Sequence, residues 1–301
     1  MHGILPLWKP KGMTSHDCVM EVRKIYQTKK VGHTGTLDPE AEGLLPICLG
    51  EATKIVPFLM ETEKTYIAEV KLGEATETED HTGKVIERQD VADFPTTAAI
   101  DEALDSFLGE RIQIPPMYSA VKVKGKKLYE YARANETVER PKRKIHIYAI
   151  ERLNVDQSSE TIRFQVTCSK GTYIRTLCVD IGKKLGYPAH MSFLKRTKTA
   201  NFTEKDAISL EALKDAPDEN SLRKFLQSPI SGLQHLSRME VDQATMHKVL
   251  NGQKLPRPEP LPKTDPFLLV HDGILLAVYQ LHEKNTNEIK PIRVFKFEKS
   301  R

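Results

Sequence analysis

The sequence predicts an α+β fold, and three observations carry that prediction. Two-residue alternation recurs, as at Ile145, Ile147 and Ala149 and at Ile162, Phe164, Val166 and Cys168; this is the mark of a half-buried strand. Helical spacing is equally clear, because Ile174, Leu177, Cys178, Ile181 and Leu185 form one apolar face that stops at Gly186. Strands and helices are mixed without the regular rhythm of a doubly wound parallel sheet.

The elements follow in order. Residues 4–8 are a short apolar run and read as a strand. Ser15 is a good N-cap for a helix carrying Val19, Val22 and Ile25. Residues 32–43 are rich in Gly, Thr, Asp and Pro and read as an ordered loop; 44–49 read as a buried strand, 53–60 as a helix and 66–72 as a strand. Ile100, Leu104, Phe107 and Leu108 line a helix ending at Gly109. Beyond Phe202 the character changes. Short helical pieces at 209–213, 221–226 and 242–250 lead to a proline-rich bend at 255–262, then to apolar runs at 267–270, 274–281 and 292–297. The expected division is a body of residues 1–235 and a small β-rich domain of residues 236–301. There is no solenoid-type repeat.

Composition narrows the function classes. The chain has 301 residues, 39% hydrophobic and 29% charged, which suits a globular protein. No apolar run approaches the roughly 18 residues of a membrane helix, and the first residues lack the pattern of a signal peptide. Cys18, Cys48, Cys168 and Cys178 are scattered without a C-x-x-C pair, against a disulfide framework or cysteine zinc site. A reducing, cytoplasmic setting is expected. The net charge is only +4, yet residues 111–144 hold ten Lys/Arg against three Glu. Residues 61–110 are the reverse, with fourteen acids against four bases. A basic strip interleaved with Tyr118, Tyr129 and Tyr131 fits phosphate contact and base stacking. A solvated face is the alternative.

The stretch that carries chemistry is Gly32-His33-Thr34-Gly35-Thr36-Leu37-Asp38-Pro39-Glu40-Ala41-Glu42-Gly43-Leu44-Leu45-Pro46. Its glycines and threonines permit a tight loop that can approach a ligand. Asp38 stands just before Pro39, so two local readings stay open: a reactive carboxylate, or an N-cap with proline at the first helical position. His33 alone reads as a structural hydrogen-bonder. No second His or Cys lies at ligand spacing, so no metal is expected.

This loop resembles the G-H-x-G-T-L-D-P-x-A-x-G-L-L-P signature of the TruB family, the tRNA pseudouridine-55 synthases. The resemblance covers nearly the whole chain. Residues 9–15 match K-P-x-G-x-T-S, residues 50–54 match G-x-A-T-K, residues 64–66 match the tyrosine motif, and residues 170–177 match the arginine motif. Departures are Ala200, where the family often has Gly, and Met191, where Leu is common.

The resemblance implies a pseudouridine synthase fold with a mixed central sheet, an active site in a cleft, and a small C-terminal PUA-like RNA-binding domain. It implies that Asp38 is the catalytic carboxylate, that Tyr66 stacks on the target base and that Arg175 pairs with Asp38. Lys54, Asp80 and Leu194 are carried over as active-site surroundings, and Leu194 reads equally as core. His33 would support the everted RNA loop. Tyr173 and the lysines Lys122, Lys124, Lys126 and Lys127 are expected to contact RNA, the lysines within a thumb-like insertion at about 111–144. The partner implied is the tRNA T stem-loop, with no cofactor, no membrane, no obligate protein partner and a monomeric state. Two rivals come from other classes. A tRNA-folding chaperone would need the same surface without the chemistry. A nucleoside glycosidase would need a second carboxylate in a recognisable motif, and none is present.

Overall fold

A computed structural model describes residues 1–297. The chain forms two compact units, each discontinuous in sequence. The first comprises Met1–Pro39, Gly43–Thr62 and the chain from Thr199 onward; the second comprises Glu40–Glu42 and Glu63–Lys198. Among the described residues no helix is long and apolar enough to cross a membrane.

In the first unit, strand Gly3–Lys9 runs antiparallel to strand Glu42–Leu49, from the Gly3/Leu49 pair to the Lys9/Gly43 pair. Val31–His33 pairs with the same strand. Both long strands are buried almost throughout, which explains their unbroken apolar reading. Helix Ser15–Ile25 packs Cys18, Val19 and Val22 against Leu5, Leu7, Leu45 and Ile47. Its N-cap is Thr14, one residue before the Ser15 expected, and Thr14 forms a capping box with Asp17. The Ser15 hydroxyl is committed to the Asp38 loop. The helix expected at 53–60 begins as a 3-10 turn, Gly50–Ile55, and becomes α-helical only at Val56–Met60.

The C-terminal sheet belongs to this unit. Its five strands lie in the order Arg238–Glu240, Phe267–His271, Ile274–Leu281, Glu288–Val294, Leu255–Pro256. The first pair is parallel and the others antiparallel. Part of the proline-rich bend is therefore an edge strand, a place where proline's missing N–H is tolerated. Helix Gln243–Leu250 buries Val249 in a core with Phe267, Leu269, Ala277 and Tyr279. The other apolar set of the sheet, Leu268, Val270, Leu275, Val278 and Phe295, joins Ile4, Leu44, Cys48 and Leu59 in one core. The C-terminal sheet thus shares one apolar core with the N-terminal strands.

In the second unit the strands lie in the order Ala189–Thr199, Lys64–Leu72, Thr161–Cys168, Arg143–Asp156, Gly109–Gln113. The ladders from Lys64–Leu72 to Gly109–Gln113 are antiparallel. Helix Ile174–Leu185 has the bounds its periodicity implied, and ends at Gly186 with φ +87°, the left-handed turn that glycine takes without steric cost. Segregated helices beside antiparallel ladders give the α+β class expected. The Gln113/Arg143 pair closes the base of the insertion. Beyond it lie a hairpin, Lys122–Val123 with Lys126–Lys127, and the short helix Leu128–Arg133.

Candidate active site

The loop bearing Asp38 is held by hydrogen bonds to its backbone. The Thr34 N–H and hydroxyl both donate to the Pro46 carbonyl, at 3.1 and 3.2 Å. The Ser15 hydroxyl accepts from the Leu37 N–H at 2.9 Å and donates to the Leu37 carbonyl at 3.2 Å. On the far side of Asp38, the Pro39 carbonyl accepts from the Gly12 N–H at 2.9 Å and from Lys9 Nζ at 3.0 Å. Gly12 presents its N–H from φ +82°, a conformation that would strain any side chain. Lys9 is fully buried, and a buried ammonium needs acceptors; the Pro10 and Pro39 carbonyls are two of them.

The residues immediately before and after Asp38 are therefore both fixed, while Asp38 itself is half-buried. The lysine, glycine and serine of the K-P-x-G-x-T-S segment are the three that do this. No helix follows Pro39. The chain turns at Pro39 and Glu40 and enters the strand at Glu42, which overturns the N-cap reading of Asp38. His33, also half-buried, accepts from the Gly35 N–H through Nδ1 at 3.3 Å, so it braces the same loop.

Arg175 and Asp80 lie in the second unit. Arg175 is buried in the first turn of helix Ile174–Leu185, where the helix dipole disfavours a cation. Acceptors offset this. Its guanidinium donates to the Thr78 carbonyl at 3.1 Å and the Tyr118 carbonyl at 3.0 Å, and stands 4.0 Å from the Asp80 carboxylate. Asp80 is held in turn by the Thr78 hydroxyl at 2.7 Å, the Thr82 N–H at 2.9 Å and the Thr82 hydroxyl at 2.5 Å.

Glu79, with φ +65°, receives the Thr176 hydroxyl at 2.6 Å. Burial raises the Glu79 carboxyl above the usual range, while Thr176, Arg175 and Arg140 pull it back. Sequence reasoning missed Glu79 and the Ser15 clamp, since neither contact leaves a local pattern.

Tyr66 sits mid-strand opposite Val166 and is 9% exposed. Leu194 is buried on strand Ala189–Thr199. Tyr173 is half-buried at the N-cap of the arginine helix. Lys54 lies in the first unit, bonded to Glu51 at 2.6 Å and to the Val294 carbonyl at 3.0 Å. Those bonds tie the 3-10 turn to the C-terminal sheet.

The four lysines expected to contact RNA fall on one hairpin whose tip is Lys124 and Gly125, both at positive φ. Lys122 and Lys124 are exposed. Lys126 pairs with Glu136 at 2.9 Å and lies 4.7 Å from the Tyr131 ring centre; Lys127 lies 5.3 Å from that of Tyr129. Cation and aromatic ring thus alternate in space as they do in sequence. Away from these residues, Glu240, His271 and Asp272 bring potential ligand atoms within 4.8 Å of one another at the surface of the C-terminal sheet.

The chain is similar to known proteins over nearly its whole length. Residues 23–174 match the TruB family pseudouridylate synthase N-terminal domain, and residues 175–234 match the tRNA pseudouridylate synthase B C-terminal domain. A protein of Oceanobacillus iheyensis named tRNA pseudouridine synthase B is 58% identical over 299 residues, 99% of each chain. One of that name from Bacillus pumilus is 47% identical over 306 residues, again 99% of each chain. Among solved structures, a chain of a Cbf5-Nop10-Gar1 complex superposes with a TM-score of 0.75 at 30% identity, covering 98% of this chain and 84% of that one. Fold and sequence together define the class, a pseudouridylate synthase. More particularly, the chain belongs to the TruB family.

Proposed function

We propose that this chain converts uridine 55 in the T loop of tRNA to pseudouridine, with Asp38 as the catalytic carboxylate. The observation that carries the reading is the clamp on the Asp38 loop, because Ser15, Gly12 and Lys9 fix the backbone on both sides of one half-buried carboxylate. A fixed carboxylate suits a reaction whose demands are positional. The bond from ribose C1′ to N1 of uracil breaks, the base turns, and C1′ joins C5. N1 gains a proton as C5 loses one, so the product is an isomer and no redox cofactor is required. Asp38 either attacks the sugar or removes a proton from it; both routes need an ionised carboxylate held against the ribose.

Tyr66 supplies a ring for the displaced base, and Arg175 supplies the cation that favours ionised Asp38. His33 and Tyr173 meet the RNA loop. Leu194 and Asp80 shape the surroundings. Lys54 supports the site through the 3-10 turn that it ties down. Lys122, Lys124, Lys126 and Lys127 hold phosphates and offset the few kcal/mol needed to flip the uridine outward. The segment 236–301 is assigned as a PUA-like RNA-binding domain, and the protein as a cytoplasmic monomer acting without a protein partner. The test is to incubate the protein with unmodified tRNA and map pseudouridine at single-nucleotide resolution. Pseudouridine at position 55 is expected. Tight binding with no modified nucleotide would leave a folding chaperone instead.

A further inference from the structure

The start of helix Ile174–Leu185 has an unusual arrangement. Its N-cap, Tyr173, makes no side-chain capping bond. The N3 residue, which in a capping box would return to the N-cap N–H, is Thr176, and its hydroxyl is given to Glu79. The Tyr173 N–H is served instead by Gln113, 60 residues away, whose side-chain oxygen accepts it at 2.8 Å. The same amide donates through Nε2 to the Tyr173 carbonyl at 3.0 Å. One donor and one acceptor of a 4%-exposed glutamine thus meet both backbone groups of a single residue. That pairing fixes the amide's orientation, since the reverse would set donor against donor.

Gln113 is the last residue of strand Gly109–Gln113, where the chain leaves for the lysine hairpin. Five residues on, the Tyr118 carbonyl accepts from Arg175, two residues past Tyr173. The segment 113–118 is therefore pinned at both ends to the first turn of the arginine helix. Just beyond, the Ser119 and Val121 carbonyls accept from the N–H groups of Tyr129 and Leu128, closing the hairpin and helix into one piece. At the base, Arg140 donates to the Pro115 carbonyl at 3.0 Å.

We propose that Gln113 is a positioning residue: by clamping the Tyr173 backbone it sets the helix turn that carries Arg175, and so joins the root of the RNA-holding insertion to the charge that serves the carboxylate. This rests on the role of Arg175 given above. A bidentate amide is suited to the task because it holds direction as well as distance, whereas an apolar side chain of the same size would take the acceptor from the Tyr173 N–H and leave the Tyr173 carbonyl only the Leu177 N–H.

The test uses the full chain, a pre-folded T-arm stem-loop RNA and the variants Gln113→Leu and Gln113→Glu. Leucine is expected to slow the single-turnover rate at saturating RNA by about tenfold or more while leaving RNA affinity within about threefold. Glutamate is diagnostic. Ionised, it offers only acceptors and repels the Tyr173 carbonyl; protonated, it again has one donor and one acceptor. The Gln113→Glu rate, relative to wild type, should therefore recover as pH falls, and burial brings the protonation into reach by raising the carboxyl.

Amide exchange at 174–177 is measured in parallel and should quicken in Gln113→Leu. Should leucine fail to fold, the glutamate profile decides. A leucine rate within about twofold of wild type, or a loss confined to affinity, overturns the proposal, as does a glutamate profile parallel to wild type. Wild-type protein that makes no pseudouridine would sink the proposed function. The exchange measurement then decides the clamp by itself: unchanged exchange rejects it, and quickened exchange retains it.

Discussion

The Asp38 loop and the lysine hairpin are both short polar turns, yet they are built on opposite terms. In the loop, Thr34 and Leu37 are buried and the peptide groups flanking Asp38 are bonded to Lys9, Gly12 and Ser15. In the hairpin, Lys122 and Lys124 stand in solvent, and the ladder consists of two residue pairs. The loop places one charge with care, whereas the hairpin offers several charges loosely. Chemistry on a sugar carbon tolerates little positional error. Neutralising phosphates depends on charge number and salt.

That contrast predicts which substitutions act on rate and which on affinity. The largest effect is expected for Asp38→Asn, which keeps the side chain's shape and removes its charge. Turnover should fall at least about a thousandfold, about 4 kcal/mol of barrier, with tRNA affinity nearly unchanged; single-turnover assays and filter binding check both. Ser15→Ala comes next. It leaves the buried Leu37 N–H without its acceptor, at a cost of about 1–3 kcal/mol of stability, and should lower the rate at saturating RNA by about tenfold. Thermal denaturation separates the two effects. If rate and melting temperature both stay at wild type, the loop is not held as described.

On the hairpin the order should reverse. Lys122→Ala with Lys124→Ala is expected to weaken binding and to reduce the slope of log affinity against log salt by about 1 per lysine, with a smaller change in saturated rate. Lys126→Ala with Lys127→Ala should do less, because those side chains are engaged by Glu136, Tyr131 and Tyr129. Equal slopes for both pairs would show that the two exposed lysines are not special. The smallest effect lies outside both turns, at Ala200, whose φ of +53° is left-handed. Ala200→Gly should raise stability by about 0.5–1 kcal/mol with unchanged kinetics, as denaturant titration would show.

Ala200 also illustrates what the sequence could reveal. Its departure from glycine in the TruB motif flagged the position, and the backbone there has the conformation glycine favours. Elements with one buried face were legible: helix Ile174–Leu185 and strand Thr161–Cys168 match their periodicity nearly residue for residue. Strand Ala189–Thr199 was not, because it buries His190 and Arg196, polar residues that break the apolar alternation. The final apolar run, 292–297, lies further along the chain than its strand, since Glu288–Val294 begins in polar residues. At the site, the motif pointed to Asp38, Tyr66 and Arg175, but the contacts of Ser15 and Gln113 join residues 22 and 60 positions apart and leave no local trace.

The core shared by Ile4, Leu44, Leu268 and Phe295 has a consequence for how the protein is made. A ribosome delivers the first strand of this core early and its apolar partners from Leu268 to Phe295 much later. Until those residues emerge, Ile4, Leu44 and Cys48 lack their apolar cover, and a chain in that condition is prone to aggregate. A nascent chain stalled before residue 260 thus holds every residue of the loop and its clamp, yet lacks the strands that cover Ile4, Leu44 and Cys48 on the sheet beside them.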